Sequence, residues 1–528
     1  MRPYPFPRLP LILVLSCTTL LAGLQACRPQ EEGPQAIRYT MRFPAPETQM
    51  AEITLTLPTD GQADVELMMP VWSPGFYRVQ DYAGKVQEIS ARTPEGEELV
   101  VEHTRPNRWR VQTLGSPEVT VTYQLYCPDS FVTTNWVSPD LLVLNGGATY
   151  MTLVGGEDRP HEVWFEPAPG WNAVATGLPQ LPGDGPYHYR AGDFDTLVDA
   201  PIVAGDLEIT TFTVEGVEHQ LVDVGEREGW DAALAARDLQ DIVEESLPLW
   251  GELPYQKYVF LNVFRRGGGG LEHGNSTLLT TGAQTMSTPA RYRSWLSFAA
   301  HEYFHAFNVK RLRPVELGPF DYEESPSTSS LWLSEGVTSY LADLLVARAG
   351  LTTPEEYLAS LSSAIGRLQD SPGRLLQTLE QSSLEVWTNS NSGVGAAPST
   401  VSYYVKGQVV GFLLDARIRT ATDGQRSFED VMRLAYQRYG GERGFTPEEF
   451  RATAEEVAGV DLEEWFRKAL ASTEELDYSE ALEWFGLRFG GEGGWTLEIR
   501  EDASESQRAH LQALLAPAYP DIQEEEIP

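Results

Sequence analysis

The chain has 528 residues, of which 42% are hydrophobic and 22% are charged, and its formal net charge at pH 7 is −37. This length and composition predict a globular protein of two or three domains and exclude a disordered chain. The strong acidic excess excludes a protein that binds nucleic acid by attraction to the negatively charged phosphate backbone.

The first 26 residues have the pattern of a signal peptide. Arg2 and Arg8 precede an apolar run over residues 9–24 that is too short and too poorly flanked for a durable transmembrane anchor. Residues 24–27 (Leu-Gln-Ala-Cys) resemble the bacterial lipoprotein box, in which the cysteine is lipidated and becomes the first residue of the mature chain. Ordinary secretory cleavage beside a coincidental Cys27 is the alternative, and both interpretations predict export.

Residues 27–36 are interpreted as a short polar tether. Arg28 stands where an Asp would be the usual signal for retention in the inner membrane. The lipoprotein resemblance therefore implies an outer-membrane protein, anchored through the lipid on Cys27, that faces either the periplasm or the cell surface. Cys127 would be the one free cysteine of the mature chain, which excludes an intramolecular disulfide.

The chain is predicted to be an α+β multidomain protein. Residues 37–206 are expected to form an all-β, sandwich-like N-terminal domain, because segments such as 51–58 and 119–126 alternate apolar and polar residues between Pro/Gly turns. From residue 207 onward, a buried strand is predicted over 257–264, and helical periodicity then dominates.

Two helices of the second part are predicted from the signals at their ends. A helix over residues 290–312 follows Pro289, a favourable first-turn residue, and ends before Pro314. A helix over residues 331–349 follows a Ser/Thr-rich segment and ends at Gly350.

The first of these helices contains the clearest chemical pattern of the chain, His301-Glu302-Tyr-Phe-His305. Histidines four residues apart project from one face of a helix and can bind a single Zn²⁺. Glu302 would lie beside the metal and could accept a proton from a bound water. The alternative is a buried helix with two histidines that face the core.

A catalytic zinc site of this type needs a third protein ligand, and two candidates follow in the chain. One is the pair Glu323-Glu324 in a predicted loop, and the other is Glu335 in the next helix. We expect Glu335, because a helix holds a ligand more accurately than a loop and Gly336 allows close helix approach. Asp343, two turns further on, is a candidate to orient a ligand histidine.

Residues 301–314 resemble the signature of the M61 glycyl aminopeptidase family, zinc peptidases of the gluzincin clan that are related in fold to thermolysin and the M1 aminopeptidases. Phe307 stands where the family has Trp. Residues 71–77, 269–273 and 331–340 resemble further family segments, so that the resemblance covers roughly residues 35–490. It implies one Zn²⁺ per chain, a thermolysin-like α+β catalytic domain over residues 207–400 and a helical domain over 401–475.

The segment Gly269-Gly270-Leu-Glu272-His273 is the expected subsite for the substrate amine. An aminopeptidase must recognise a free α-amine, and a carboxylate beside the metal supplies the opposite charge. The resemblance to the Gly-x-Met-Glu-Asn segment of M1 enzymes assigns this role to Glu272. Gly269 and Gly270 would let the substrate backbone approach closely. A glycine-rich turn with a surface Glu-His pair is the alternative.

A tyrosine is expected to support the oxyanion of the tetrahedral intermediate. Tyr404-Val-Lys-Gly407 resembles the Tyr-x-Lys-Gly segment that carries this tyrosine in M1 enzymes. Tyr403 is the rival candidate, because only one of two neighbouring residues can face the metal. We favour Tyr404.

Many M61 proteins carry a PDZ domain after the catalytic part, and residues 476–488 resemble the segment that leads into it. Only 40 residues follow, which is about half of what such a domain needs. We therefore predict an acidic tail, or a vestigial leading segment, over residues 476–528 and no capture of peptides by a PDZ module.

Together these features predict a lipid-anchored zinc aminopeptidase whose partners are short peptides. A preference for N-terminal Gly or Ala is implied by the resemblance alone. Two alternatives remain open at this stage: an endopeptidase of the same clan, and a surface-binding lipoprotein with a structural zinc. The sequence leaves the oligomeric state open.

Overall fold

The structure is a computed structural model that describes residues 34–183, 185–387, 398–490 and 494–517. The predicted signal peptide and the predicted lipidation residue Cys27 lie outside the described residues, so both remain predictions. Within the described residues, no helix is long and apolar enough to cross a membrane. The elements named below belong to one structural unit, Ala36–Pro528.

The N-terminal part is built mainly from strands, and the longest of them alternate buried and more exposed side chains. It comprises β1 (Ile37–Arg42), β2 (Met50–Pro58), β3 (Asp64–Met68), β4 (Val86–Arg92), β5 (Glu98–Leu99), β6 (Val101–Arg105), β7 (Arg108–Gln112), β8 (Glu118–Tyr126), β9 (Trp136–Val137), β10 (Leu141–Leu144), β11 (Thr152–Leu153), β12 (His161–Glu166), β13 (Ala173–Thr176), β14 (His188–Ala191), helix α1 (Phe194–Val198) and β15 (Ile202–Gly205).

Two of the N-terminal sheets enclose a common core. One has the strand order β14-β12-β1-β2-β8-β4-β5, and the other has the order β11-β3-β7-β6. Leu55 of β2 lies opposite Val121 of β8, and both pack in the core that also contains Trp109 of β7. The alternation of apolar residues thus places one face of each strand inside the sandwich. A third sheet has the order β13-β15-β10-β9.

The second part begins with a mixed sheet and continues mainly with helices. It comprises β16 (Glu208–Val214), β17 (Val217–Gly225), α2 (Ala232–Trp250), β18 (Lys257–Phe264), β19 (Gly269–Glu272), β20 (Ser276–Thr281), α3 (Pro289–Phe304), a π-helical turn (Trp332–Val337), α4 (Thr338–Arg348), α5 (Pro354–Asp370), α6 (Leu379–Leu384), α7 (Tyr403–Ala421), α8 (Phe428–Tyr439), α9 (Pro447–Ala458), α10 (Glu463–Ala471), α11 (Ser479–Phe485), β21 (Leu487–Gly490), β22 (Thr496–Ile499) and α12 (Glu505–Leu515).

The mixed sheet has the order β16-β17-β18-β20-β19, so β19 is one of its two edge strands. Strand β18 is buried on both faces. Tyr258 and Phe260 join the helical core, whereas Val259 and Leu261 pack against residues of the third N-terminal sheet such as Val203. The sheet is thus held between the helices and the N-terminal domain, which places β19 beside both.

The helical core continues without a break across residue 400, where the sequence predicts a boundary between two domains. One cluster of buried side chains contains residues from Phe212 to Leu514 together with Tyr77 of the N-terminal part. Helix α7 packs directly on the π-helical turn, where Gly407 and Gly336 approach so closely that a Cβ on Gly336 would lie 2.4 Å from the Cα of Gly407. The residues beyond 400 are therefore helical, as predicted, but share the core of the preceding residues.

The C-terminal segment differs from the expected acidic tail as far as residue 517. Helix α11, the β21-β22 hairpin and helix α12 pack on the core, with Leu511 and Leu514 buried. The buried guanidinium of Arg348 donates a hydrogen bond to the carbonyl of Leu514 at 2.9 Å. Helix α12 is mostly polar and buries few side chains, so its sequence carries little helical periodicity.

Candidate active site

Helix α3 delivers the two histidines and then ends earlier than its sequence predicts. Thr288 accepts a hydrogen bond from the Arg291 N–H as N-cap, and the helix ends at Phe304 instead of near residue 312. The chain turns there because Asn308 is held by the next helical segment, where its amide donates to the carbonyl of Leu333 at 2.9 Å. The turn brings the Asn308 carbonyl to 3.0 Å from Nδ1 of His305.

Three acceptor atoms meet at the centre of the site. Nε2 of His301 and Nε2 of His305 lie 3.0 Å apart, and Oε2 of Glu335 lies 3.5 Å from the first and 3.3 Å from the second. Glu335 is on the π-helical turn and is 1% exposed. Its Oε1 has no hydrogen-bond partner among the described residues. The structure therefore brings together the three predicted metal ligands.

The neighbours of the histidines fix which nitrogen carries the proton. Nδ1 of His305 faces a carbonyl, which can only accept, so this nitrogen donates. Nδ1 of His301 lies 3.2 Å from Oγ of Ser339, whose hydroxyl donates to the carbonyl of Glu335 at 3.0 Å. Nδ1 of His301 is therefore also a donor, and both Nε2 lone pairs point toward the Glu335 carboxylate.

Such a cluster requires a positive charge, because three acceptors without a proton repel one another in a buried site. Burial alone lowers the pKa of His305, but the carboxylates of Glu335 and Glu272 outweigh it and raise the pKa well above its ordinary value. The pKa of Glu335 is lowered by the two histidines although burial opposes this. The site thus attracts a cation.

The residues fit a divalent metal of the zinc type. Two imidazole nitrogens and a carboxylate oxygen are a usual donor set for catalytic zinc, and tetrahedral ligands at about 2.0–2.1 Å lie about 3.3–3.4 Å from one another. The three distances of 3.0, 3.3 and 3.5 Å agree with this spacing. A fourth position would remain for water or substrate.

Two other candidates from the sequence have different partners in the structure. Glu323 accepts hydrogen bonds from Asn107 and from Nε of Arg108, both at 2.8 Å, and so ties its loop to the N-terminal domain. Asp343 lines the site but accepts from Ser360 at 3.0 Å and Gln408 at 3.1 Å, so the expectation that it orients a ligand histidine is wrong. Ser339 orients His301 instead.

Glu302 and Glu272 face each other beside the three ligands. Oxygen atoms of these two glutamates and a ring nitrogen of His305 lie within 4.8 Å of one another. The position of Glu302 requires a glycine at residue 270, because a Cβ there would lie 2.2 Å from Oε1 of Glu302. Burial raises the pKa of Glu302 well above its usual range. Oε1 of Glu272 has no hydrogen-bond partner among the described residues.

The N-terminal domain closes the site at Glu272 through Gly75. This glycine has a φ of 91°, and a Cβ there would lie 2.6 Å from both carboxylate oxygens of Glu272. The loop therefore reaches the carboxylate only because residue 75 has no side chain.

Tyr404 lines the site, whereas Tyr403 does not. The ring of Tyr404 lies 6.1 Å from that of His301, centroid to centroid, and burial raises the pKa of its hydroxyl. Tyr403 stacks behind Tyr404 at 4.9 Å and belongs to the hydrophobic core. The structure thus places Tyr404, and not Tyr403, at the wall of the site, and its role remains a prediction.

All these groups border one cavity of about 470 Å³. Its walls come from the N-terminal domain, the edge strand β19 and helices α3, α4, α5 and α7. The lining residues are Gly75, Phe76, Phe131, Val132, Gly269, Gly270, Glu272, Ser297, Phe298, His301, Glu302, His305, Glu335, Ser339, Asp343, Ser360, Arg367, Tyr404 and Gln408.

Comparison with known proteins identifies the family. Residues 38–206 match the model of the peptidase M61 N-terminal domain, and residues 294–410 match that of the M61 glycyl aminopeptidase. The crystal structure of an aminopeptidase N family protein from Idiomarina loihiensis is similar to 85% of this chain and 78% of that chain, with 30% identity and a TM-score of 0.81. The chain belongs to the M61 peptidase family. The family predicted from residues 301–314 is confirmed.

M61 enzymes are metallopeptidases, which agrees with the ligand cluster of this M61 peptidase. The similarity to an aminopeptidase N family protein over most of both chains supports a mixed α+β architecture with an N-terminal β-sheet domain. A search of curated proteins finds no match.

Replacing the third ligand should remove the metal. We expect Glu335→Ala to lower the bound divalent metal from about one equivalent to less than about a tenth, because two histidines alone leave the site one donor short. Equilibrium dialysis followed by elemental analysis measures this. Glu324→Ala, in the loop that offered the alternative ligands, is the matched control and should keep one equivalent. Equal metal content in both variants would contradict the ligand assignment.

A methyl group on Gly75 should disturb peptide hydrolysis without removing the metal. It would meet the Glu272 carboxylate, so we expect Gly75→Ala to lower kcat/KM by about 10- to 100-fold. Gly96→Ala is the control for backbone strain, because Gly96 has a φ of 89° and no atom of a described residue lies within 4 Å of its missing Cβ. Similar kinetics of the two variants would show that the Gly75 loop does not shape the site.

Proposed function

We propose that this M61 peptidase is a zinc-dependent aminopeptidase that removes N-terminal residues from short peptides. The observation that carries the proposal is the position of Glu272, a second buried carboxylate beside the metal ligands and Glu302, with an oxygen that lacks a partner among the described residues. A buried charge of this kind favours a cationic ligand, and the α-ammonium group of a peptide is one. Bound there, the amine would place the first peptide bond next to the metal ligands.

The hydrolytic step uses groups that already surround the cavity. His301, His305 and Glu335 would hold the Zn²⁺, which when bound polarises the scissile carbonyl and the attacking water. Glu302 accepts the proton of the water and delivers it to the nitrogen of the leaving peptide. The Tyr404 hydroxyl, kept protonated by burial, donates a hydrogen bond to the developing oxyanion.

The finer assignments rest on the resemblance and on the shape of the site. A thermolysin-like architecture of the catalytic part is supported by helix α3, which carries two ligands, by the third ligand on the next helical segment, and by the edge strand β19 beside them. A preference for Gly or Ala is proposed from the resemblance alone. Export and anchoring through Cys27 are proposed from the sequence.

Hydrolysis of blocked and free substrates tests the proposal. We expect the soluble chain that starts at Arg28 to hydrolyse alanine p-nitroanilide, to lose this activity with a chelator and to be inactive on the N-acetylated substrate, since acetylation removes the charge that Glu272 would bind. Glu302→Gln should lower kcat by about 10²- to 10⁴-fold, because it removes the base and keeps the shape.

The controls separate the competing functions. Zinc content of Glu302→Gln should stay at one equivalent, and Glu324→Gln should keep full activity. Cleavage of acetylated or internal peptide bonds would favour an endopeptidase. Zinc binding without any hydrolysis would favour a binding protein with a structural metal.

A further inference from the structure

One arginine lines the active-site cavity. Of the described residues that line it, Arg367 is the only lysine or arginine, in contrast to the carboxylates Glu272, Glu302 and Glu335. No described residue forms an ion pair or a hydrogen bond with its guanidinium. Arg367 is exposed to solvent, whereas Arg374, seven residues further along the chain, pairs with Glu475 at 3.0 Å. Arg367 is therefore available to a ligand in the cavity.

Arg367 and Glu272 enter the cavity from different elements. Glu272 belongs to the edge strand β19, beneath the Gly75 loop of the N-terminal domain. Arg367 lies in the last turn of α5, a helix that packs on α4 and α7. The two groups thus mark an anionic and a cationic wall of the same cavity.

The path between the metal ligands and α5 can be followed along α4. Asp343 is eight residues after the ligand Glu335, which corresponds to at most about 12 Å along a helix. Ser360 of α5 donates to Asp343 at 3.0 Å, and Arg367 follows Ser360 by seven residues, on the same face of α5. Asp343 and Ser360 thus connect the helix that follows the ligand Glu335 to the face of α5 that carries Arg367.

We propose that Arg367 binds the C-terminal α-carboxylate of the substrate, so that the enzyme selects short peptides with both termini free. This inference rests on the proposed function, because it requires the substrate amine at Glu272. One residue then lies before the scissile bond, and the rest of the peptide extends toward Arg367. The planar guanidinium matches a carboxylate with two parallel hydrogen bonds, which an amide-capped peptide cannot form.

The test compares tetra-alanine with its C-terminal amide in the full mature chain loaded with zinc. Wild type is expected to hydrolyse the free acid with a kcat/KM about tenfold higher than the amide, chiefly through a lower KM, as fits a hydrogen-bonded ion pair at a partly solvated site. In Arg367→Gln the ratio of acid to amide should fall to about one. Arg367→Lys should give an intermediate ratio, because it keeps the charge without the paired donors.

Arg291→Gln is the matched control and should keep the wild-type ratio, since Arg291 is an exposed arginine at the start of α3. The ratio is measured within each variant, so partial unfolding does not imitate the effect. An unchanged ratio in Arg367→Gln, or its loss in Arg291→Gln, would overturn the assignment. Hydrolysis of alanine p-nitroanilide by wild type reports on the proposed function separately, because this substrate has no α-carboxylate.

Discussion

The site depends on one electrostatic constraint, namely that three acceptor atoms converge in a buried place without a proton between them. The Nε2 atoms of His301 and His305 and an oxygen of Glu335 are 3.0 to 3.5 Å apart. This arrangement is unfavourable without a cation and favourable with one. Much of the surrounding structure can be understood as the means by which the protein holds these atoms together.

Each ligand is positioned by a specific neighbour. The early end of α3 turns the Asn308 carbonyl toward His305, and Ser339, one turn after Glu335, orients His301. The glycine pair Gly336 and Gly407 lets α7 pack against the π-helical turn that carries Glu335. The same contact brings the start of α7 to the cavity and sets Tyr404 beside His301.

The N-terminal domain takes part in the site and does not only flank it. Its Gly75 loop covers Glu272, and Phe76 and Phe131 form part of the cavity wall. A cavity closed at the carboxylate accommodates a chain end better than the middle of a polypeptide. Exopeptidase specificity would then arise from the packing of two domains, with the hydrolytic groups supplied by one of them.

The sequence predicted those parts of the site that local spacing encodes. His301, Glu302 and His305 follow from a helical repeat of four residues, and Glu335 follows from the need for a third ligand on a rigid element. The end of α3 at Phe304 was not predictable, because it depends on a bond between Asn308 and Leu333 that lies outside the helix.

Long-range contacts also explain the remaining differences. Asp343 lies two turns after Glu335, at the spacing expected of a partner of a ligand histidine, but it accepts hydrogen bonds from Ser360 of α5 and Gln408 of α7. No local sequence pattern marks Arg367 as a site residue, because its place at the cavity depends on the other elements that form the walls. Helix α12 was not predicted in the acidic C-terminal segment, because its few buried leucines are identified only by their packing on the core.

X-ray absorption at the zinc edge tests the central claim most directly. The purified chain from Arg28, loaded with one equivalent of Zn²⁺, should show two imidazole nitrogens and one or two oxygens at about 2.0–2.1 Å and no sulfur. A spectrum without imidazole scattering, or with a sulfur ligand at about 2.3 Å, would contradict the account of His301, His305 and Glu335 as the metal site.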